Sequence, residues 1–192
     1  YDELIQSEIK LHAIDPAVHI EPARLKAVLQ NFESEAPRNV ILTGTAGDGK
    51  TYHCRRIWEH FGGNPEEWKA GKKIASLILP ASGRTITIVK DLSELMQSEK
   101  NATIEKLASA VVGQDEGSVF LVAANDGQLL ASWRDWADTQ NEDAHRVFKT
   151  VENMLVEDRR NDEQLALDLH NMSRLDASAH FQELVEQIVE HP

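Results

Sequence analysis

Cysteine is almost absent from this sequence, since Cys54 is the only one in 192 residues. The chain therefore cannot form an intrachain disulfide, and thiolates alone cannot build a zinc site in it. Long apolar runs are also missing, because the longest, VFLVAA, is far too short to cross a bilayer. The opening YDELIQSEIK has neither the basic nor the apolar region of a signal peptide. We therefore expect a cytoplasmic protein with no membrane partner.

Basic residues are scarce relative to acidic ones, with 20 Lys and Arg against 32 Asp and Glu and a formal net charge of -12. Such a surface repels phosphate backbones and anionic lipids, so tight direct binding to DNA is not expected outside a local basic patch. The hydrophobic content of 41% is enough to bury a full core, and one domain is the default at this length. Because Tyr1 is not an initiator methionine, we expect a fragment of a longer polypeptide.

Helical and extended patterns alternate along the chain, which predicts the α/β fold class. The linker PASGR joins two strand candidates and is too short for a parallel crossover, so one of those two strands must run antiparallel. The predicted helices span 21–35, 50–61, 103–113, 128–138 and 142–158, with a closing helix in ASAHFQELVEQIVEH. The predicted strands span 39–43, 73–79, 85–90, 118–124 and 164–170.

The segment GTAGDGKT follows the first predicted strand and opens a predicted helix, and it fits the phosphate-loop pattern G-x-x-x-x-G-K-[ST]. Glycines let backbone amides approach an anion, and the helix directs the positive end of its dipole at the same place. Lys50 can reach the β- and γ-phosphates, and the Thr51 hydroxyl can ligate Mg²⁺. We therefore predict ATP and Mg²⁺ as the ligands. The predicted nucleotide-binding residues are Gly44, Thr45, Ala46, Gly47, Asp48, Gly49, Lys50, Thr51 and Tyr52.

Asp48 is unusual within this motif. A carboxylate beside a phosphate-binding turn is electrostatically unfavourable unless it faces away from the phosphates or meets a cation.

ATP hydrolysis also needs an acid at the end of another strand, and two interpretations are open. In the first, Asp91 is the Walker B acid that holds Mg²⁺, and Asn125 is a sensor of the γ-phosphate. In the second, Asp126 is the Walker B acid and Asn171 is the sensor. Besides Lys50 and Asn125, the predicted catalytic residues include Glu94 and Asp126, either of which can act as the base.

Burial favours the first interpretation. In P-loop proteins with an additional central strand, the sensor strand lies between the P-loop strand and the Walker B strand, so it is apolar on both faces. VFLVAA fits that position, whereas LALDLH alternates with polar residues and suits an edge. The predicted fold is thus a P-loop NTPase αβα sandwich with a mostly parallel five-stranded sheet and an antiparallel edge strand. We assign 1–38 to a helical lead-in and 39–192 to the ATPase core.

Several residues also have a structural interpretation beside the functional one. Asp91 has the alternative role of a helix N-cap, with Glu94 completing a capping box. The eight histidines show no metal-binding spacing, and Cys54 is expected to pack. Arginines could clamp a phosphate or act as an arginine finger on a neighbouring subunit's nucleotide, but we expect them on the surface: Arg55 and Arg56 for the clamp, and Arg159, Arg160 and Arg174 for the finger. Trp133 and Trp136 could stack on bases, but we expect them in a core or interface stripe.

The motifs GTAGDGKT, VKDLSEL and LVAANDGQLL occur in that order, and through them residues 38–175 resemble the DptF family, also called DndF. These are the P-loop ATPases of bacterial DNA phosphorothioation-dependent restriction systems, and they look like AAA-type ATPases. The resemblance implies an ATPase module in a restriction, or antiviral defence, complex. It implies partner restriction proteins, DNA reached through those partners, and self-association as a further option.

The sequence departs from the AAA-type pattern at one position. AAA-type proteins usually place Glu directly after the Walker B Asp, but Leu92 follows Asp91 here. Two rival functions therefore stay open. One is a small-molecule or nucleotide kinase on the same core, and the other is an ATP-dependent scaffold that does not hydrolyse ATP.

Overall fold

The computed structural model describes residues 23–69 and 71–173. The helices are α1 (Ala23–Phe32), α2 (Lys50–His60), α3 (Pro65–Lys69), α4 (Gln97–Val111), α5 (Asp126–Ala137) and α6 (Glu142–Val156). The strands are β1 (Asn39–Thr43), β2 (Ile74–Ile78), β3 (Thr85–Val89), β4 (Ser118–Ala123) and β5 (Leu167–Asn171), and a short 3-10 turn, Leu92–Glu94, follows β3. The alternation of helix and strand predicted from the sequence is confirmed.

The five strands form one sheet in the order β2-β3-β4-β1-β5. Four of them run parallel, and β2 alone pairs antiparallel with β3. The short PASGR linker explains this pairing, because five residues can close a hairpin but cannot cross over the sheet. A mostly parallel sheet with an antiparallel edge strand is therefore confirmed.

Strand β4 lies in the middle of the sheet, between β3 and β1, and its last five residues are buried. Helices α4, α5 and α6 pack on one face of the sheet in an apolar cluster around Trp133 and Leu107. On the other face, α1 and α2 pack around Phe32 and Ile57. Since helices cover both faces, the central strand is apolar from Val119 to its end, as the sequence predicts.

Three differences between the predicted and the observed elements are the most informative. Helix α4 begins at Gln97 rather than 103, because the Glu99 carboxylate accepts a hydrogen bond from the Met96 N–H and caps an earlier first turn. Strand β5 covers Leu167–Asn171 rather than 164–170, and α3 has no counterpart among the predicted helices. The predicted closing helix and Arg174 lie outside the described residues.

The amino ends of β1 and β5 are joined by side chains. Arg38 donates from Nε to Asp168 Oδ1 at 2.7 Å, and its Nη2 donates to the carbonyls of Leu165 and Leu167 at 2.8 and 2.9 Å. Strand β5 is buried along its whole length although it is an edge strand, and its other side pairs with the segment before it, where the Leu169 amide donates to the Arg160 carbonyl at 2.6 Å and Asn161 bridges to Asp168. The edge position expected for this strand is confirmed.

Asn39 makes a second link at the same edge of the sheet. Its Nδ2 donates to the Ala166 carbonyl, and its Oδ1 accepts from the Phe120 N–H, both at 2.9 Å. One buried amide thus connects β1 to β4 on one side and to the chain entering β5 on the other.

Within the described part of the chain, no helix is long and apolar enough to cross a membrane.

Candidate functional site: a glycine loop between β1 and α2

The loop of residues 44–49 leaves β1 at its carboxyl end and enters α2. Gly49 is the residue that precedes α2, and its φ of 80° lies in the left-handed region that favours glycine. Gly44 has a φ of 130°, and a Cβ there would lie 2.6 Å from Asp48 Oδ2 and 2.8 Å from Ser173 Oγ. Both positions therefore require glycine, as the motif predicts.

Lys50 is buried although it carries a charge, with 8% of its surface exposed. Its Nζ donates to the carbonyls of Gly44 and Thr45 at 3.1 and 2.5 Å. The ammonium group thus lies against the loop that precedes it, and it brings a positive charge to the amino end of α2.

The second half of the loop presents amide groups that the protein leaves unpaired. No residue in 23–69 or 71–173 accepts a hydrogen bond from the amides of Gly47, Gly49, Lys50 or Thr51. The first turn of any helix leaves such donors, and they lie at the positive end of the helix dipole. Together with Lys50, they form an arrangement suited to an anion.

The first half of the loop is different, because its amides already have acceptors. The Gly44 N–H donates to Asp126 Oδ1 at 3.0 Å. The Thr45 N–H donates to Asp48 Oδ2 at 2.5 Å and to Ser173 Oγ at 2.9 Å. Asp126 follows β4 and Ser173 follows β5, which are the two neighbours of β1. The loop is thus braced from both sides.

Asp48 turns back towards the start of the loop. Besides the Thr45 amide, its Oδ2 accepts from Thr45 Oγ1 at 3.0 Å and from Ser173 Oγ at 2.5 Å. The Ser173 hydroxyl is the main cause that lowers the pKa of Asp48, and the hydrogen bonds from Thr45 and the charge of Lys50 act in the same direction. These donors account for an acid in the loop, which the sequence alone left unexplained.

The remaining predicted nucleotide-binding residues lie on the outer side of the loop and on the first turn of α2. Thr45, Ala46, Gly47 and Thr51 are exposed, so their hydroxyls and amides can be reached from solvent. Tyr52 is half-buried, and its ring meets the ring of His53 edge-on with centroids 5.9 Å apart.

Asp91 follows β3 and begins the 3-10 turn. Its Oδ1 accepts from the Ser93 amide at 2.8 Å and from the Ser93 hydroxyl at 2.7 Å. The capping role weighed for Asp91 is therefore present, but its partner is Ser93. Glu94 is exposed, and its carbonyl rather than its carboxylate accepts a bond from Lys73 Nζ.

Asp91 also acts electrostatically on α2. Burial raises the pKa of the Cys54 thiol to about 12, and the negative charge of Asp91 adds to that rise, while Lys50 opposes it. Both charges thus act on the same buried thiol on α2. Cys54 itself is fully buried in the apolar cluster, as expected for a packing residue.

The strand order bears on the two interpretations of the acids. Strand β4, which carries Asn125 and Asp126 at its end, lies between β1 and β3. The first interpretation expects this order. The second would place β5 between β1 and β4, but β5 lies on the opposite side of β1.

Polar groups after β4 and β5 have distinct partners. The Asn125 side chain makes no capping bond to α5, although Asn125 occupies the capping position. Asp126 uses one carboxylate oxygen for the Gly44 amide, and Asn171 Oδ1 accepts from the Ser173 amide at 3.1 Å. Among the predicted acids, Asp126 is therefore the one that contacts the loop directly.

Two buried histidines lie behind the loop. His53 on α2 bonds through Nδ1 to the Gly49 carbonyl at 2.9 Å, and its Nε2 is buried without a partner. Burial lowers the pKa of His53, and it lowers the pKa of His170 on β5 to about 4. The charge of His53 also lowers the pKa of His170, and the sequence, which predicts structural or exposed histidines, does not show that these two lie close together.

The arginine candidates that the structure describes are mostly engaged in ordinary surface pairs. Arg55 and Arg56 on α2 each lie 3.3 Å from Glu59, and Arg159 lies 2.7 Å from Glu157. Arg160 is exposed. In the tryptophan pair, Trp133 is fully buried in the core and Trp136 packs partly against it.

No group of three or more His, Cys, Asp or Glu side chains comes together as a metal site in the part of the chain that is described. Magnesium does not require such a group, since it is commonly held by one or two protein oxygens together with substrate phosphates and water. The Thr51 hydroxyl and the Asp91 carboxylate are the two protein oxygens that the sequence predicts for this role.

Comparisons with known proteins give no relative for this chain: neither the protein-family models, nor the curated proteins, nor the solved structures contain a match.

Proposed function

We propose that this chain is an ATP-binding module of the P-loop NTPase type and that it hydrolyses ATP. The observation that carries the proposal is the division of the loop into two halves. The amides of Gly44 and Thr45 are held by protein oxygens, whereas those of Gly47, Gly49, Lys50 and Thr51 are left for a ligand. A braced loop with free amides and a buried lysine is what a triphosphate requires.

In this proposal each residue of the loop has a defined task. The free amides and Lys50 bind the phosphate oxygens, and the Thr51 hydroxyl with Asp91 holds Mg²⁺. Asn125 senses the γ-phosphate, since its side chain has no capping bond to α5 and it follows the strand next to β1. A bound Mg²⁺ would neutralise charge on the phosphates.

The biological setting that we propose is the one implied by the resemblance to the DptF family. The ATPase module would couple its nucleotide state to the assembly or action of partner restriction proteins in a bacterial cytoplasm. The net charge of -12 favours contact with DNA through those partners rather than directly.

One observation favours the scaffold that binds ATP without hydrolysing it. The Asp91 carboxylate is engaged by Ser93, Leu92 follows it, and Glu94 is exposed on the turn. A base for the attacking water is therefore not evident next to Asp91. The scaffold differs from the ATPase only in turnover, so binding and hydrolysis need separate measurements.

Binding is tested by calorimetry of ATP with Mg²⁺ on the full chain and on Lys50→Ala. Removing one partner of a close charge interaction costs about 2 to 5 kcal/mol, so we expect affinity to fall roughly thirtyfold to several thousandfold. Lys69→Ala is the matched control, because Lys69 is exposed and forms its ion pair with Glu66 on α3, away from the loop. Equal affinity in the parent and Lys50→Ala would end the phosphate-loop proposal.

Hydrolysis is tested by phosphate release from the same proteins. We expect slow turnover by the chain alone, because a transferred arginine can supply about 10³ to 10⁵ in rate and the described arginines have other partners or lie exposed. Tight binding with no release, even when DNA and partner proteins are added, would decide for the scaffold.

A further inference from the structure

Asp48 is placed where it could compete with a ligand. It stands immediately before Gly49 and Lys50, and the amides of Lys50 and Thr51, two and three residues further on, have no acceptor in the described chain. Aspartate side chains commonly accept hydrogen bonds from amides at these two spacings, and in doing so they cap helices. An Asp48 carboxylate in that position would occupy the amides that bind phosphate.

In the structure, the Asp48 carboxylate does not accept hydrogen bonds from the amides of Lys50 and Thr51. Helix α2 has no side-chain cap, and Asp48 Oδ2 instead receives three donors at the opposite end of the loop. Two of those donors, the amide and hydroxyl of Thr45, belong to the loop itself and move with it. The third, the Ser173 hydroxyl at 2.5 Å, comes from the chain that follows β5.

We propose that Ser173 is a positioning residue that holds the Asp48 carboxylate away from the free amides and so keeps the loop open for phosphate. This inference rests on the proposed function, and it identifies a residue that governs access of phosphate to the same site. Ser173 is itself fixed, because its amide donates to Asn171 Oδ1 and its Oγ accepts from the Thr45 amide. Its close approach to Gly44 leaves no room for a Cβ there.

The position of the chain that follows β5 therefore determines whether the loop is open for phosphate. When the Ser173 hydroxyl is in place, Asp48 faces Thr45. If a change in the chain beyond β5 displaces Ser173, the carboxylate is left with donors from the loop only, and the amides of Lys50 and Thr51 become available to it. The loop would then be occupied by its own acid.

The proposal is tested with a double-mutant cycle on the full chain. The affinity for ATP with Mg²⁺ and for inorganic tripolyphosphate is measured in the parent, Ser173→Ala, Asp48→Ala and the double variant. One hydrogen bond to a charged, exposed group corresponds to about threefold to tenfold in affinity, and we expect Ser173→Ala to lose that much. In the Asp48→Ala background the same change should have no effect, and Ser173→Thr should restore binding because it retains the hydroxyl.

Amide hydrogen exchange in the free chain gives a second readout that a merely structural role would not produce. In Ser173→Ala we expect the Thr45 amide to exchange faster while the amides of Lys50 and Thr51 exchange more slowly, since Asp48 has moved to them. Faster exchange at all three amides would mean simple loosening and would overturn the proposal.

The two proposals fail in different ways. If the parent binds neither ATP nor tripolyphosphate, the phosphate-loop function fails, and the exchange pattern still decides whether Ser173 positions Asp48. If binding is normal but Ser173→Ala weakens it equally in both backgrounds, only the positioning role is overturned.

Discussion

The Gly44 amide, at the start of the loop, donates a hydrogen bond to the Asp126 carboxylate 82 residues further along the chain, with a nitrogen-to-oxygen distance of 3.0 Å. Gly44 is buried, so its amide has no access to water as an alternative acceptor. The bond therefore ties the glycine loop to the first turn of α5 and gives Asp126 a role that does not depend on metal.

Asp126→Ala should destabilise the fold, because it leaves the buried Gly44 amide unpaired. We expect a loss of about 1 to 3 kcal/mol in the free energy of unfolding, measured by urea denaturation. Asp126→Asn is the matched control, since its amide oxygen can still accept the bond and most of the stability should remain. An equal loss in both variants would show that the charge, rather than the hydrogen bond, is what matters.

Asp91→Asn should weaken ATP binding that depends on Mg²⁺ and leave binding without Mg²⁺ nearly intact. An asparagine can still accept the Ser93 bond, so stability should change little, whereas Asp91→Ala also loses the cap at a cost of about 0.5 to 2 kcal/mol. Titration of Mg²⁺ against each variant, with thermal unfolding in parallel, separates the two effects. A metal defect in Asp126→Asn but not in Asp91→Asn would reverse our assignment of the Walker B acid.

Asn125→Ala should slow hydrolysis with little change in ATP affinity. A sensor acts on the γ-phosphate and the attacking water, so its loss lowers kcat more than it raises KM. Steady-state phosphate release gives both constants. Gln128→Ala is a suitable control, since Gln128 is an exposed residue on the same helix. A change in KM alone would assign Asn125 to binding instead.

Acid should destabilise the protein through its buried histidines. Burial, together with the charges of Arg160 and Arg24, lowers the pKa of His170 to about 4, whereas the unfolded chain protonates this ring near its ordinary value of 6.5. The unfolded state therefore binds more protons between these values. Stability is complete above about pH 6.5 and falls towards pH 4, by at most about 3 kcal/mol from this one group.

Unfolding free energies at several pH values between 7 and 4 test this expectation. His170→Gln should flatten the pH dependence, and His145→Gln should not, because His145 is exposed on α6. His53 acts in the same direction, so the double variant of His53 and His170 should be flatter still. An unchanged slope in His170→Gln would contradict the assignment.

Much of the fold follows from the sequence. The five-residue linker between β2 and β3 requires an antiparallel pair, and the unbroken apolar run of β4 requires the middle of the sheet. The alternating pattern of β5 correctly predicts an edge strand, but it does not show that both faces of the strand are buried. The polar residues Asp168 and His170 are instead buried, since Arg38 pairs with Asp168 from 130 residues away and α1 and α2 cover that face.

The loop could be predicted from the sequence but its supports could not. The motif needs only eight consecutive residues, so its glycines and Lys50 are evident by spacing. The bonds from the Gly44 amide to Asp126 and from the Ser173 hydroxyl to Asp48 join residues 82 and 125 positions apart. They exist because β4 and β5 flank β1. The burial pattern predicts the places of these strands in the sheet, but no local pattern shows which side chains then meet at their ends.

Strand β1 is fastened at both ends to both of its neighbours. Asn39 bonds to Phe120 and Ala166 at one end, and the loop at the other end bonds to Asp126 and Ser173. A strand held in this way cannot slide along its own axis without breaking bonds on both sides. A movement of the loop along the strand axis would therefore be transmitted through β1 to the amino ends of the strands, where the chain enters β4 and β5.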